Sequence, residues 1–118
     1  MTFNETQDLE RFRHYLKILA RLQLDREVQH KLDESDVVQE TLVKAYESLP
    51  HFRGHSDGEL KGWLRRILAT TLVDSVRPLY RRKRNVDLER SLEAALNESS
   101  ERLESCLAAD QSTPSEQA

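Results

Sequence analysis

Apolar side chains return every three or four positions along most of this chain, a period that helices accommodate and strands do not. Leu9, Phe12, Leu16 and Leu19 make one stripe, widened by Tyr15 and Leu22, which predicts a first helix from about Thr6 to Leu24. The polar connection "DREVQHKLDE" follows, and Asp33 or Ser35 caps a second helix ending near Leu49-Pro50. In the loop "HFRGHSDG", Gly54 and Gly58 supply backbone freedom, and Ser56 with Glu59 forms a capping box before Leu60. A third helix, "ELKGWLRRILATTLVDSV", carries Leu60, Trp63, Leu64, Ile67, Leu68 and Thr71 on one inward arc. Pro78 lacks a backbone donor and disfavours helical geometry at Arg77, so this helix stops or kinks there. Beyond it, Leu88, Leu92, Ala95, Leu96, Leu103 and Leu107 mark a helical extension that packs loosely on the others or links to something beyond. The predicted fold class is all-α: a small bundle of three main helices plus a C-terminal helical extension.

The net charge of −3 hides a segregation along the chain. Residues 51–84 carry nine basic against three acidic side chains, whereas residues 1–50 carry seven against ten and residues 85–118 two against eight. A basic middle between acidic flanks points to nucleic acid or another polyanion as partner of the middle third. The chain has no apolar run long enough to cross a bilayer and no basic-then-apolar leader at "MTFNETQDLERF". Cys106 has no partner for an internal disulfide, which fits a reducing cytoplasm. Near the end, Thr113, Pro114 and Glu116 spell a second capping box with proline at the first helical position. Either a further helix belongs to a longer protein, or this is a disordered tail.

At about 100° per residue, Asp36, Gln39, Glu40, Val43 and Glu47 fall on one stripe of the second helix. Val37, Val38, Thr41, Leu42, Ala45, Tyr46 and Leu49 supply its inward arc, so Val43 is not needed for the core. A valine ringed by carboxylates and an amide is either a solvated accident or a small docking patch with a polar rim.

In the basic third, Arg66, Thr70, Val73 and Arg77 share one outward face of the third helix, and Lys61 and Arg65 lie on another. Arginine forks fit phosphates, and Arg81, Arg82, Lys83 and Arg84 form a phosphate-tracking cluster without sequence choice. Phe52 and Trp63 are aromatic surfaces on which a base could stack; alternatively Phe52 anchors the loop and Trp63 serves the core. His51 and His55 have metal-like spacing but flank Gly54 in a loop without a nearby cysteine, so no metal site is assigned. There is no phosphate-cradling glycine motif and no nucleophile–base pair in a plausible setting, so neither an enzyme activity nor a cofactor is predicted.

The stretches "DESDVVQETLVKAYESLPHFRG", "ELKGWLRRILATTLVDSVR" and "RRKR" resemble region 2 of bacterial sigma factors of the extracytoplasmic-function group, over about residues 9 to 84. The tail "ADQSTPSEQA" resembles the linker toward region 4, the helix-turn-helix domain that reads the −35 element. On this resemblance residues 1–85 form the polymerase-docking and −10-binding domain, and residues 86–118 an acidic extension and linker. The resemblance implies that Asp36, Gln39, Glu40, Val43 and Glu47 dock on the β′ clamp helices of core RNA polymerase. It implies that the loop with Phe52, Arg53, Gly54, His55 and Ser56 captures a flipped base of the −10 non-template strand. The helix with Lys61, Trp63, Arg65, Arg66, Thr70 and Arg77 would melt and read that element, with Arg81, Arg82, Lys83 and Arg84 beside it. The sequence departs from many relatives, which have an asparagine where Ala69, Thr70 or Thr71 falls, ahead of the aspartate matched by Asp74, and in Pro78-Leu79-Tyr80, which interrupts what is often a continuous basic helix end. Further implications are a cytoplasmic location, an anti-sigma factor as another partner, no membrane contact and a monomer in isolation. The rival is a helical adaptor that binds no DNA and uses its basic segment on an acidic protein.

Overall fold

The computed structural model describes residues 9–24, 32–76 and 85–117, with backbone alone at 76, 85–86 and 109–117. Four helices are seen in order: α1 (Arg13–Gln23), α2 (Glu34–Ser48), α3 (Asp57–Val76) and α4 (Asn85–Gln117), with a 3-10 turn at Leu49–His51 between α2 and α3. Among the described residues there is no strand, which bears out the all-α class. No helix is long and apolar enough to cross a membrane among those residues.

The first stripe packs as its period requires: Leu9, Phe12, Leu16 and Leu19 are buried, together with Ala20 and Leu24. The helical run is interrupted rather than continuous: Leu9 and Glu10 are helical, a turn at Arg11 and Phe12 follows, and α1 begins at Arg13, while the predicted start at Thr6 lies outside the described residues. Tertiary partners hold that turn, and apolar spacing cannot register them. Arg11 reaches Asp57 at 2.8 Å, and Glu10 accepts a hydrogen bond from the Tyr46 hydroxyl at 2.5 Å. Leu22, placed on the stripe from its spacing, is 62% exposed.

Asp33, rather than Ser35, caps α2: its carboxylate accepts from the Ser35 amide at 2.9 Å, and Glu34 and Asp36 add favourable charge at the helix N-terminus. Val37, Val38, Thr41, Leu42 and Ala45 are buried, with Tyr46 and Leu49 packed at the margin of the core. The buried Thr41 hydroxyl is satisfied locally by the Val37 carbonyl at 2.8 Å.

Helix α3 packs against α1, α2 and α4, so its buried residues extend beyond a single face. Leu64, Leu68 and Thr71 lie inside as the arc predicts, but so do Ala69, Leu72 and Val73. Val73 was expected outward beside Arg66 and Thr70 and is instead buried. A central helix with several neighbours has more than one inside, which one amphipathic arc cannot describe.

The extension is an integral part of the packing. Leu96 is fully buried in the shared core, with Leu88 and Leu92 packed against it. Further along, Leu107 is 53% exposed, against its expected role on the packing stripe. The helix continues through Thr113 to Gln117, so no new helix starts at Thr113. Pro114 removes only the amide that would meet the Asp110 carbonyl, and the remaining backbone bonds can carry the helix past it.

The sequence "NESS" at 97–100 explains how α4 sits so close. Ser99 and Ser100 are buried and small, and each meets a polar partner on α1. The Tyr15 hydroxyl lies 2.7 Å from Ser100 Oγ, and Gln23 Nε2 donates to Ser99 Oγ at 3.0 Å. No buried side-chain polar atom among the described residues lacks a partner.

Candidate functional site

Two surfaces carry the residues singled out above. On α2, Asp36, Gln39, Glu40, Val43 and Glu47 are all exposed, Val43 to 43%. The stripe is tied to its surroundings at two points. Gln39 Oε1 accepts from Arg13 Nη1 on α1 at 2.9 Å, and Glu40 lies 3.6 Å from the Lys44 ammonium. Lys44 also reaches Asp74 at 3.5 Å and donates to Thr71, which connects the stripe to α3.

The second surface is a cleft of about 480 Å³ where the loop after α2 meets the start of α3 and the middle of α4. Phe52, Arg53, Gly54, Trp63, Arg65 and Arg66 line it, and α4 adds Glu93 and Asn97. Phe52 and Trp63 pack against each other, ring centroids 4.9 Å apart at 36°, and both are half-buried. Each ring therefore serves the fold on one side and keeps partial exposure.

The loop is held rigidly enough to keep that shape. Ser56 Oγ accepts from the Glu59 amide at 3.1 Å, while Glu59 Oε1 accepts from the His55 and Ser56 amides at 2.6 and 3.2 Å. The capping box is thus formed, and the His55 amide, first among these donors, holds the Glu59 carboxyl below its ordinary pKa. Gly54 is required by close approach: a methyl at its Cα would overlap the Phe52 ring and come within 2.9 Å of Glu59 Cβ. The side of Phe52 facing Leu9, Leu49 and Leu60 opens on a smaller cleft of about 240 Å³, which His55, Ser56 and Asp57 also line.

The cations of α3 have unequal surroundings. Arg65 is half-buried and donates to Asn97 Oδ1 at 2.7 Å, to the Tyr15 hydroxyl at 2.8 Å and to Ser100 Oγ at 3.3 Å. It clamps α3 to α1 and α4. Lys61 pairs with Glu104 of α4 at 3.1 Å and lies over the Tyr15 ring. Arg66 is the exposed one, with Glu93 at 3.5 Å, and Arg53 is exposed on the loop. Thr70 is half-buried and its hydroxyl donates back to the Arg66 carbonyl at 3.2 Å. Arg77, Arg81, Arg82, Lys83 and Arg84 lie outside the described residues.

Spacing missed the contribution of α4. Glu93 and Asn97 stand four residues apart on one helical face, a signal visible in the sequence, but nothing there shows which face of α4 docks. His51 and His55 are both exposed, and among the described residues no group of three or more His, Cys, Asp or Glu could hold a metal ion.

Comparison with known proteins gives a family. Residues 10–84 match the family model of sigma-70 region 2, which spans well over half of the chain. No curated protein and no solved structure matches the chain significantly. Sigma region 2 is a non-enzymatic module that binds core RNA polymerase and promoter DNA in transcription initiation. With that match laid over α1, α2, the loop and α3, the chain belongs to the sigma-70 region 2 family.

Proposed function

We propose that the chain is the region 2 domain of an extracytoplasmic-function sigma factor, which holds the −10 element open by trapping an unstacked non-template base. The observation that carries this is the cleft, where two partly exposed aromatic rings sit beside Arg53 and Arg66. Aromatic faces bind unstacked bases and neighbouring guanidinium groups hold their phosphates. The cleft volume lies within the ~300–1,000 Å³ usual for small-ligand sites. Trapping a base shifts the duplex toward the open strand without hydrolysis, so the domain needs no catalytic group. Arg81, Arg82, Lys83 and Arg84 then add sequence-independent affinity. Arg65 and Lys61 act mainly through the protein: Arg65 positions α4, and Lys61 reaches phosphate only by leaving Glu104.

Docking on the β′ clamp helices falls to Asp36, Gln39, Glu40, Val43 and Glu47. An apolar centre within a polar rim is the usual anatomy of a small interface. On this proposal residues 1–85 carry both duties, and residues 86–118 brace them and lead toward region 4. The protein works as a monomer in the cytoplasm, alongside its polymerase, and an anti-sigma factor would compete for the α2 stripe.

The adaptor alternative has one observation in its favour, since Glu93 and Glu104 show that the α3 cations accept carboxylates. Reconstitution with core polymerase separates the two. The chain should be retained by core enzyme and should then bind a single-stranded −10 oligonucleotide. Phe52→Ala should reduce discrimination among −10 sequences more than general affinity. Failure of the wild-type chain to bind core polymerase favours the adaptor.

A further inference from the structure

The helix that meets the cations of α3 begins at Asn85, just where the residues matching the family model end. It is acidic: residues 85–118 carry eight carboxylates against two basic side chains. Two of those carboxylates sit on the cationic face of α3. Glu104 lies 3.1 Å from Lys61, and Glu93 lies 3.5 Å from Arg66. Measured from Glu93, Asn97 and Glu104 stand about one and three turns further on, so all three fall on one flank of α4. Arg65 differs from the other two cations in having neutral partners, Asn97, Tyr15 and Ser100. The helix and its carboxylates are therefore held differently. Leu96 in the core, with the hydrogen bonds of Asn97, Ser99 and Ser100, keeps α4 in place. The two ion pairs are open to water, the Arg66 side chain 72% exposed and that of Glu104 51%, and such pairs add little to stability. Glu93 and Glu104 can swing off their cations while the helix stays docked.

We infer that α4 is an internal competitor for nucleic acid: Glu93 and Glu104 hold phosphate positions on α3 and suppress loose, sequence-independent binding by the free chain. The inference rests on the reading of α3 as the DNA-binding face and adds what regulates that face. Carboxylate and phosphate oxygens accept from the same cations, so Lys61 and Arg66 cannot serve both fully. A strand that offers only its backbone must displace both carboxylates and gains little by it. A strand whose base also stacks on Phe52 or Trp63 adds a contact outside this competition. Arg65 takes no part, because its partners are uncharged and it is needed as the clamp.

The test measures binding of the 118-residue chain to a fluorescein-labelled oligothymidylate by anisotropy, over a series of salt concentrations. Glu93→Gln combined with Glu104→Gln keeps side-chain size and removes both charges. This double variant should bind about fivefold more tightly at low salt. Its slope of log K against log salt should be steeper by about one, because two cations regain counterions for the strand to release. The control is Glu98→Gln combined with Glu101→Gln, an equal charge change on exposed residues of α4. Glu98 pairs with Arg102 of its own helix, and neither control carboxylate pairs with an α3 cation among the described residues. The control should stay within about twofold of the wild type, at an unchanged slope. Retained helical circular dichroism shows that both variants fold. Equal tightening in the two variants would trace the effect to net charge and overturn the inference. Affinity in the first variant no higher than in the wild type would overturn it too. In both cases DNA binding by α3 stands. If neither the wild type nor either variant binds the oligonucleotide at low salt, the reading of α3 as a DNA-binding face fails as well.

Discussion

The outward stripe of α2 and the basic face of α3 look alike in sequence, each a row of charges on one side of a helix, and the fold treats them differently. On α2 the stripe stays exposed around Val43, and among the described residues only Gln39 and Glu40 are engaged at the edge. On α3 a neighbouring helix has already met the cations: Lys61 has Glu104, Arg65 has Asn97 and Ser100, and Arg66 has Glu93. On the proposed function, the first surface meets its protein partner as it stands. The second would have to exchange internal partners for external ones, so α4 would set part of its affinity for a polyanion.

This contrast is broken or sharpened by four measurements. The largest effect is expected at Arg65. Arg65→Ala removes a half-buried cation that satisfies Tyr15, Asn97 and Ser100, and should lower stability by about 2 kcal/mol in urea unfolding. The exposed neighbour provides the control, since Arg66→Ala should cost no more than about 0.5 kcal/mol. Equal losses would mean that Arg65 is an ordinary surface charge.

Val43→Lys should weaken binding to core polymerase about tenfold, roughly 1.4 kcal/mol, with the unfolding midpoint almost unchanged. A drop in stability without a drop in affinity would make Val43 a packing residue and leave the stripe without its centre.

Glu104→Gln should cost stability no more than about 0.5 kcal/mol, the usual scale for an exposed ion pair. It should raise affinity for single-stranded DNA of any sequence about twofold at low salt, because Lys61 is released. Unchanged affinity would show that α4 does not compete for that cation.

The smallest effect concerns pH. The Glu59 carboxyl has a lowered pKa in the folded state, chiefly through the His55 amide. Its contribution to the loop is present in full above the unfolded carboxylate value of 4.5 and is lost as pH falls through the depressed folded value. Amide exchange at His55 and Ser56 should therefore accelerate in that acid window in the wild type and be pH-independent there, apart from intrinsic chemistry, in Glu59→Gln. At the other end, burial first and then the Glu10 hydrogen bond push Tyr46 up to about 12. That contribution holds below pH 10 and fades only as pH rises through about 12.

Much of the fold was legible because it depends on local rules. The Ser56–Glu59 capping box is encoded by two residues three apart, and it formed as spelled. The inward arc of α2 follows from period alone and packed accordingly. Leu22, Val73 and Leu107 departed from their predicted sides for a different reason: which flank of a helix is covered depends on where its neighbours lie. The capping signal at Thr113 shows the converse, since a start signal is weak against a helix already propagating through it.

By itself the sequence determined the helices, the Ser56–Glu59 cap, the exposed Val43 stripe and the basic middle, because local spacing and composition settle each of these. Only the tertiary structure decided that α4 docks beside α3, that Arg65 is a clamp, and that Glu93 and Asn97 stand in the cleft with Phe52 and Trp63. Those facts depend on how one helix is rotated against another, and that rotation is chosen by the packing of Leu96, Ser99 and Ser100 against side chains distant in the chain.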